Sequence, residues 1–553
     1  MRWFRTAGGA AVLAVALWYL TRGYLAGVVD PAAVVDLVGA VLADPVGLVA
    51  AAGCYALAFV LRSLAWQRTL PGLRFGQSWA ALHVSLLGNH VLPLRLGEVL
   101  RVTSVLRRTG LEPRPVIASA VTLRAADLAA VVLLAAVCVP TLLSRLASGW
   151  VWAATAVVLA VLAGGVFASS RLARAGAAVR VPSLPVAAAV VAAWVLESTV
   201  VWEIARTAGY PLGLRDALAV TAVTIVVQAV ALTPGGFGSY EAAATAAMVA
   251  LGVPAGPAFA IALTTHAAKT LYALLVGAVA LVVPAPSYWG WLRLPRSAVP
   301  RPLGPPITDD APIVVFLPAH DEAATVGSVV AALPAAVEGR RVEVIVVDDG
   351  STDATAEHAA AAGATVVAQP RNLGLGAAVR RGLAEATALG PAAVVYLDAD
   401  GEYAPGDVAA VAAPVLAGTA DYVVGSRFAG DIERMLPHRR LGNRVLTVWV
   451  RWLTRRRDLT DGQSGFRAFS PLAAAEAEIV HDYNYAQVLT LDLLGKGFSY
   501  AEVPIRYSFR TSGTSFVRLG RYLRRVVPAV HRELNTPHVL AAPAAATQAH
   551  PSP

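Results

Sequence analysis

AVVYLDADGEYAP, residues 393–405, joins a short β-branched run to a cluster of carboxylates and a turn. AVVYL (393–397) reads as a buried strand, and Asp398, Asp400 and Glu402 follow where it ends. The same design recurs upstream and downstream. IVVFL (313–317), VEVIVV (342–347), TVV (365–367) and DYVVG (421–425) read as strands, and the Ala-rich segments between them as helices. Alternation of this kind predicts an α/β unit with mostly parallel strands. Ligands bind such sheets at the carboxyl ends of strands. Polar motifs occupy those ends here: PAHDEAATV (318–326) after the first strand, VDDGSTDAT (347–355) after the second, and LDADGEYAP (397–405) after the fourth.

Outward from this unit the composition changes. The chain has 553 residues, too many for one core, and 57% of them are hydrophobic. Its mean hydropathy of +0.60 exceeds that of an ordinary soluble enzyme. Charge is sparse up to about residue 290 and dense beyond it. The expected organisation is an all-α polytopic membrane domain over 1–285, a Pro-rich linker over 286–311, an α/β domain over 312–535 and a disordered tail over 536–553. The net charge of +9 comes almost wholly from arginine, with Lys269 and Lys496 as the lysines. Many arginines sit at the ends of apolar runs, where topology signals and lipid headgroups belong, and this pattern argues against nucleic-acid binding. Cys54 and Cys138 both lie in apolar stretches and can build neither a disulfide framework nor a zinc site.

In the first half, a retained helix over 1–25 is followed by apolar spans near 46–61, 116–143, 151–169, 184–205, 216–232, 239–252 and 256–283. The stretches 79–92 and 239–252 are candidates for re-entrant segments. Arg62, Arg68, Arg74, Arg101, Arg107, Arg108 and Arg114 lie on one side, and Asp30, Asp36 and Asp44 on the other. The positive-inside rule then predicts about eight crossings with both termini and the α/β domain in the cytoplasm of a multi-pass cell-membrane protein. Charges at membrane depth, including Arg95, Glu98, Arg124, Asp127, Glu197 and Glu241, face one another or a cavity. GNHVLPLRLGEVLR (88–101), Arg124 with Asp127 and Leu128, and PGGFGSYE (234–241) resemble the flippase-like membrane domain of lysylphosphatidylglycerol synthases over roughly 10–285. The aminoacyl-transferase domain of those synthases is not recognisable, so the resemblance implies lipid translocation or scaffolding.

Two carboxylates two residues apart at a strand end can converge on Mg²⁺ or Mn²⁺, which binds through one or two carboxylates plus diphosphate oxygens. With RNLGLGAAVRRGL (371–383), VGSRF (424–428), RRLGNRV (439–445), DGQSGFRAFS (461–470) and EVPIRYSFRTSGTS (502–515), the second half resembles family 2 glycosyltransferases from about 312 to 530. Within that family it is most similar to the dolichyl- or polyprenyl-phosphate sugar transferases. The resemblance implies a GT-A (Rossmann-like) fold and a donor nucleotide, GDP- or UDP-hexose, held by Pro318, His320, Glu322, Asp348 and Asp349. It places the metal and diphosphate on Asp398 and Asp400, with Glu402 as an added ligand where relatives commonly have Gln. Arg427, Arg439 and Arg510 match arginines that hold a lipid phosphate. Asp461 stands where enzymes with hydroxyl acceptors keep a base. Gln487 replaces a common Glu, and no role is carried to it.

A lipid phosphate is already ionised at pH 7 and needs positive charge to place it more than it needs a base. Arginine suits that task because its planar fork meets phosphate oxygens in pairs. In NRVLTVWVRWLTRRR (443–457), Val445, Val448, Trp449, Trp452 and Leu453 form one helical stripe before a basic cluster, as an interfacial helix requires. VRLGRYLRRVV (517–527) is a second basic helix. The expected activity is inverting, metal-dependent transfer of a hexose to a polyprenyl phosphate at the cytoplasmic face, with membrane lipids as partners. The alternatives are a transferase with another lipid or polysaccharide acceptor, or a lipid transporter with an accessory transferase domain. A processive synthase would carry Q-x-x-R-W, which is not found here.

Overall fold

The structure, a computed structural model, describes residues 31–92, 96–138, 183–229, 233–295, 299–304, 306–480, 485–509 and 519–540. The chain forms two compact units, Met1–Gly290 and Trp291–Pro553. The boundary falls inside the expected linker. Within that expected linker, Leu294 N–H donates to Leu453 O at 2.9 Å and Arg301 pairs with Asp421 at 2.7 Å, so these two residues pack within the second unit.

The first unit is helical: α1 Pro31–Ala43, α2 Pro45–Thr69, α3 Phe75–Val91, α4 Gly97–Arg108, α5 Pro113–Cys138, α6 Leu184–Thr207, α7 Leu214–Ala229, α8 Ser239–Ala250 and α9 Ala255–Val282. Proline opens α1, α2 and α5, where its missing N–H would have no helical partner anyway. Among the described residues, α2, α6 and α9 are long and apolar enough to cross a membrane. The expected spans at 1–25 and 151–169 lie outside the described residues, as does Arg95. Helix α3 has 17 residues and α8 has 12. At about 1.5 Å per residue they reach about 26 Å and 18 Å, short of a hydrocarbon core of about 30 Å. The two candidate re-entrant stretches are thus short helices. The Pro234–Gly236 turn before α8 packs on α3, bringing Gly235 against His90.

The charges of this unit pair with one another. Glu197 on α6 accepts from Arg62 at 3.0 Å and Lys269 at 3.2 Å, and Asp127 lies 3.6 Å from Arg62. The Arg62 guanidinium also lies 4.4 Å over the Trp194 ring. His266 meets Glu241 at 2.6 Å, and Arg101 lies 3.6 Å from Glu98. Glu98, Asp127 and Glu197 thus each have a cationic neighbour and Glu241 a hydrogen-bonding imidazole, which lowers the penalty of holding them at depth.

The second unit is a three-layer α/β structure. Its strands are β1 Ile313–Ala319, β2 Ala336–Val337, β3 Arg340–Asp348, β4 Thr365–Ala368, β5 Ala393–Tyr396, β6 Tyr422–Ser426, β7 Ile432–Arg434, β8 Arg467–Phe469, β9 Tyr500–Pro504 and β10 Tyr507–Ser508. Its helices are α10 Val326–Ala331, α11 Thr355–Ala361, α12 Leu375–Ala388, α13 Val408–Leu416, α14 Pro437–Thr454, α15 Pro471–Glu476, α16 Ala486–Gly495 and α17 Leu519–Asn535. The main sheet runs β2-β3-β1-β5-β8-β6-β9, with β4 also on β3. Strands β4, β3, β1 and β5 are parallel, β8 is antiparallel to both its neighbours, and β6 and β9 are parallel. All five strands expected from the sequence are present. β8 was not expected, because its three residues are too few for a periodic signal. It brings the DGQSG turn into the sheet beside β5.

One core face carries α10, α11 and α13, and the other α12, α15 and α16. Helix α14 buries Val450 and Leu453, and Leu453 shares a core cluster with Leu294, Val488, Leu491 and Val526. Leu441, Val445, Val448 and Trp452 form its exposed apolar stripe. Leu453 therefore belongs to the core, contrary to the expected stripe, and Leu441 takes a place on the outer face. Just beyond α17, His538 reaches Glu533 at 3.0 Å, while Val539 is exposed.

Candidate functional site

The loops after β1 and β3 are stitched together. Asp349 N–H donates to Ala319 O at 2.9 Å, Asp321 N–H to Ser351 Oγ at 3.0 Å, and Glu322 N–H to Thr355 Oγ1 at 2.8 Å. Asp348 and Asp349 are buried. The Asp348 carboxylate accepts from Ser351 N–H at 3.0 Å. That of Asp349 accepts from Leu373 N–H at 2.8 Å and Gly374 N–H at 2.9 Å, fixing the RNLGLG turn that opens α12. Gly350 has φ +68°, and a Cβ there would lie 2.4 Å from the Arg371 carbonyl carbon. Only glycine lets these turns close on one another. Pro318 is buried at the end of β1, His320 is exposed beside Asp321, and Glu322 accepts from Thr325 Oγ1 at 3.0 Å. The residues expected to hold the nucleotide thus stand together at the carboxyl ends of the adjacent strands β1 and β3.

Asp398 stands at the end of β5. Its carboxylate accepts the Tyr396 hydroxyl and lies where a side chain on Gly465 would be, since a Cβ there would fall 2.1 Å from Asp398 Oδ2. Although the residue keeps some exposure, desolvation pushes its carboxyl up to about 6; the nearby Glu402 charge also raises it, and the Tyr396 hydroxyl, Arg427 and Arg467 oppose the rise. A crowded carboxyl short of positive charge, two residues from Asp400, fits a hard divalent cation. Asp400 Oδ1 accepts Glu402 N–H at 3.1 Å. Glu402, expected as a third ligand, is engaged elsewhere: Arg439 donates to its Oε1 at 3.2 Å and the Tyr507 hydroxyl to its Oε2 at 2.8 Å. Among the described residues, the group of His and carboxylate side chains whose ligand atoms all lie within 4.8 Å is Asp492, Glu533 and His538, not the DADGE set. In that group Lys496 already sits 2.9 Å from Asp492.

Asp461 and Arg427 form a buried bidentate pair. Arg427 Nε lies 2.6 Å from Oδ2 and Nη2 lies 2.9 Å from Oδ1, and Asp461 has no exposed surface. Arg427 N–H and Gln463 N–H add bonds of 3.2 and 3.1 Å to the same carboxylate. Burial pulls the Arg427 guanidinium down, but Tyr403, Asp461 and Tyr507 outweigh it, so the charged form is held. A carboxylate held by four donors is a fixed anchor for the guanidinium. Arg439 faces the Phe509 ring at 4.6 Å. Arg510 lies outside the described residues.

Several contributors carried no separable signal in the sequence. Glu502, seen only as part of EVPI, accepts Thr460 N–H at 2.8 Å and Asp461 N–H at 3.2 Å and so orders the turn carrying Asp461. The Tyr403 hydroxyl accepts Gly465 N–H at 2.8 Å. Gln487, to which no role was carried, donates to Gln463 Oε1 at 2.8 Å. All are long-range partners of motif residues. A polar residue inside a motif block was the available hint.

The family model described as Glycosyl transferase family 2 matches residues 314–483, and that described as Lysylphosphatidylglycerol synthase TM region matches residues 6–277. The chain is 34% identical over 199 residues to "Uncharacterized protein MJ1222" of Methanocaldococcus jannaschii, covering 35% of this chain and 80% of that protein. It is 33% identical over 190 residues to "Polyprenol monophosphomannose synthase" of Mycolicibacterium smegmatis, covering 32% of this chain and 70% of that one. A solved structure of glucosyl-3-phosphoglycerate synthase from Mycobacterium tuberculosis aligns with 27% identity and a TM-score of 0.34, over 41% of this chain and 81% of that one. Paired aspartates at the ends of β3 and β5 lie within the matched region, and the chain belongs to glycosyl transferase family 2, as a membrane protein whose first half matches the synthase transmembrane region.

Proposed function

We propose that this glycosyltransferase moves a hexose from GDP- or UDP-hexose to a polyprenyl phosphate at the cytoplasmic face of the cell membrane, with inversion at the anomeric carbon. The observation that carries the reading is the pair of arginines, Arg427 on Asp461 and Arg439 on Glu402, beside Asp398 and Asp400. A similar protein is a polyprenol monophosphomannose synthase, which supports the acceptor class.

Asp398 and Asp400 would hold Mg²⁺ or Mn²⁺, which when bound neutralises charge on the departing nucleoside diphosphate. Pro318, His320, Glu322 and the loops braced by Asp348 and Asp349 shape the nucleotide cradle. Arg427, Arg439 and Arg510 orient the acceptor phosphate toward the anomeric carbon, and its ionised oxygen attacks without a base. Asp461 keeps Arg427 charged and aimed. The exposed stripe Leu441, Val445, Val448 and Trp452 supports contact with the lipid interface, where Trp and apolar side chains are favoured. Positive-inside arginines support the cytoplasmic placement.

The test is transfer of radiolabel from a panel of nucleotide sugars to polyprenyl phosphate by the purified full chain with Mg²⁺ or Mn²⁺. Label in the organic phase with one donor is expected. No label with any donor sinks the proposal.

A further inference from the structure

The DADGE turn carries a glutamate whose carboxylate faces away from a metal role and toward the acceptor side. Glu402 is 8% exposed, and it joins three segments that are distant in sequence. Its Oε1 accepts from Arg439 in the first turn of α14 at 3.2 Å, and its Oε2 accepts the Tyr507 hydroxyl at 2.8 Å. Its main-chain oxygen accepts Ser508 N–H at 3.0 Å, and its own N–H donates to Asp400 at 3.1 Å. The clasp continues outward. Phe509 lies under Arg439 at 4.6 Å, and Tyr507 lies under Arg427 at 5.3 Å. Tyr403, the neighbour of Glu402, bridges Tyr507 in the main chain and packs on its ring at 5.7 Å.

Electrostatics explain why a charged residue is wanted there. Arg439 and Arg440 sit in the first turn of α14, which contains no acidic residue. Cations at a helix N-terminus oppose the helix dipole, so a fixed anion is needed to hold the guanidinium in place before a ligand arrives. A glutamine could keep the Tyr507 hydrogen bond but not the charge. Two donors on one carboxylate also fix both of its oxygens.

We infer that Glu402 is a positioning residue that sets Arg439 and the 507–509 strand for the acceptor phosphate, tying the acceptor side to the turn that carries Asp400, and that it is not a metal ligand. This rests on the proposed polyprenyl-phosphate acceptor. Glu402 acts through Arg439 and Tyr507 and does not touch the reacting atoms.

The experiment uses the full chain in detergent and compares the unaltered protein with E402Q, R439Q and the double variant. Transfer is measured against polyprenyl phosphate and against donor, and Mn²⁺ binding is measured by titration calorimetry without substrates. E402Q is expected to lower kcat/KM for the acceptor by about 10- to 100-fold through KM, with donor KM and Mn²⁺ affinity unchanged. The double variant should be little worse than R439Q alone, because both changes break one link. Thermal melting of each variant shows whether it is folded, and E402D should recover part of the acceptor KM. A fall in Mn²⁺ affinity in E402Q overturns the inference by making Glu402 a ligand. An unchanged acceptor KM in folded E402Q overturns it as well. Absence of transfer by the unaltered chain with every donor overturns the function and the inference together, and that control separates the two failures.

Discussion

The two units bury arginine–carboxylate pairs to different ends. In the membrane unit Glu197 is shared by Arg62 and Lys269, Asp127 stands beside Arg62, and the cluster is walled by Trp194, Phe59 and Tyr55. Its charges satisfy one another among helices far apart in sequence. In the catalytic unit each carboxylate holds one arginine near the DADGE turn, Asp461 holding Arg427 and Glu402 holding Arg439. The first arrangement makes buried charge tolerable. The second keeps positive charge in a fixed position next to Asp398 and Asp400. The same chemical pair is thus shared among several charges in one place and held one to one in the other, and what differs is whether the strand-end carboxylates Asp398 and Asp400 lie nearby.

The comparison can be broken most sharply at Asp400. D400A should reduce transfer by about 10³-fold or more without changing the melting temperature, and chelation of the metal should do the same to the unaltered chain. Activity equal to the unaltered protein would remove the site from the DADGE turn. Next comes D461N, which leaves Arg427 buried without its partner. A loss of about 3–5 kcal/mol in stability is expected, with transfer falling too. Replacing both residues, as in R427L/D461L, should restore much of the melting temperature and none of the transfer. A double variant that transfers normally would make the pair cohesive only, like its membrane counterpart.

E197Q removes the charge that Arg62 and Lys269 share. The membrane unit should lose stability by a similar amount, about 3–5 kcal/mol, while donor KM in the folded fraction stays unchanged. If donor KM rises as it does on damage to the catalytic unit, the two regions do not work separately. The smallest effect is expected at the solvent-facing Arg341–Glu343 pair, 3.0 Å apart on β3. R341Q should leave melting and transfer within error, because exposed ion pairs are screened by solvent. A clear loss there would mean that pairing, rather than burial, sets the importance of these charges.

The parallel half of the sheet was readable because its strands are runs of β-branched residues ending in polar motifs, and Asp398 and Asp400 were readable by their place at such an end. Arg427, Arg439 and Asp461 were readable as motif residues but not as partners. The Asp461–Arg427 contact spans 34 positions and the Glu402–Tyr507 contact 105, and no periodicity reports a pairing over such distances. Glu402 shows the same limit. Its spacing from Asp398 and Asp400 suggested a ligand, whereas packing turned its carboxylate toward Arg439.

By itself the sequence determined two units, one apolar and one α/β, and the strand ends on which donor chemistry sits, because hydropathy and strand periodicity are local properties. The tertiary structure decided where the unit boundary falls, how β8 enters the sheet to place Gly465 against Asp398, and which carboxylate holds which arginine. Those depend on which side chains meet when distant segments pack, and the low dielectric of a packed interior then forces each buried charge to find its partner.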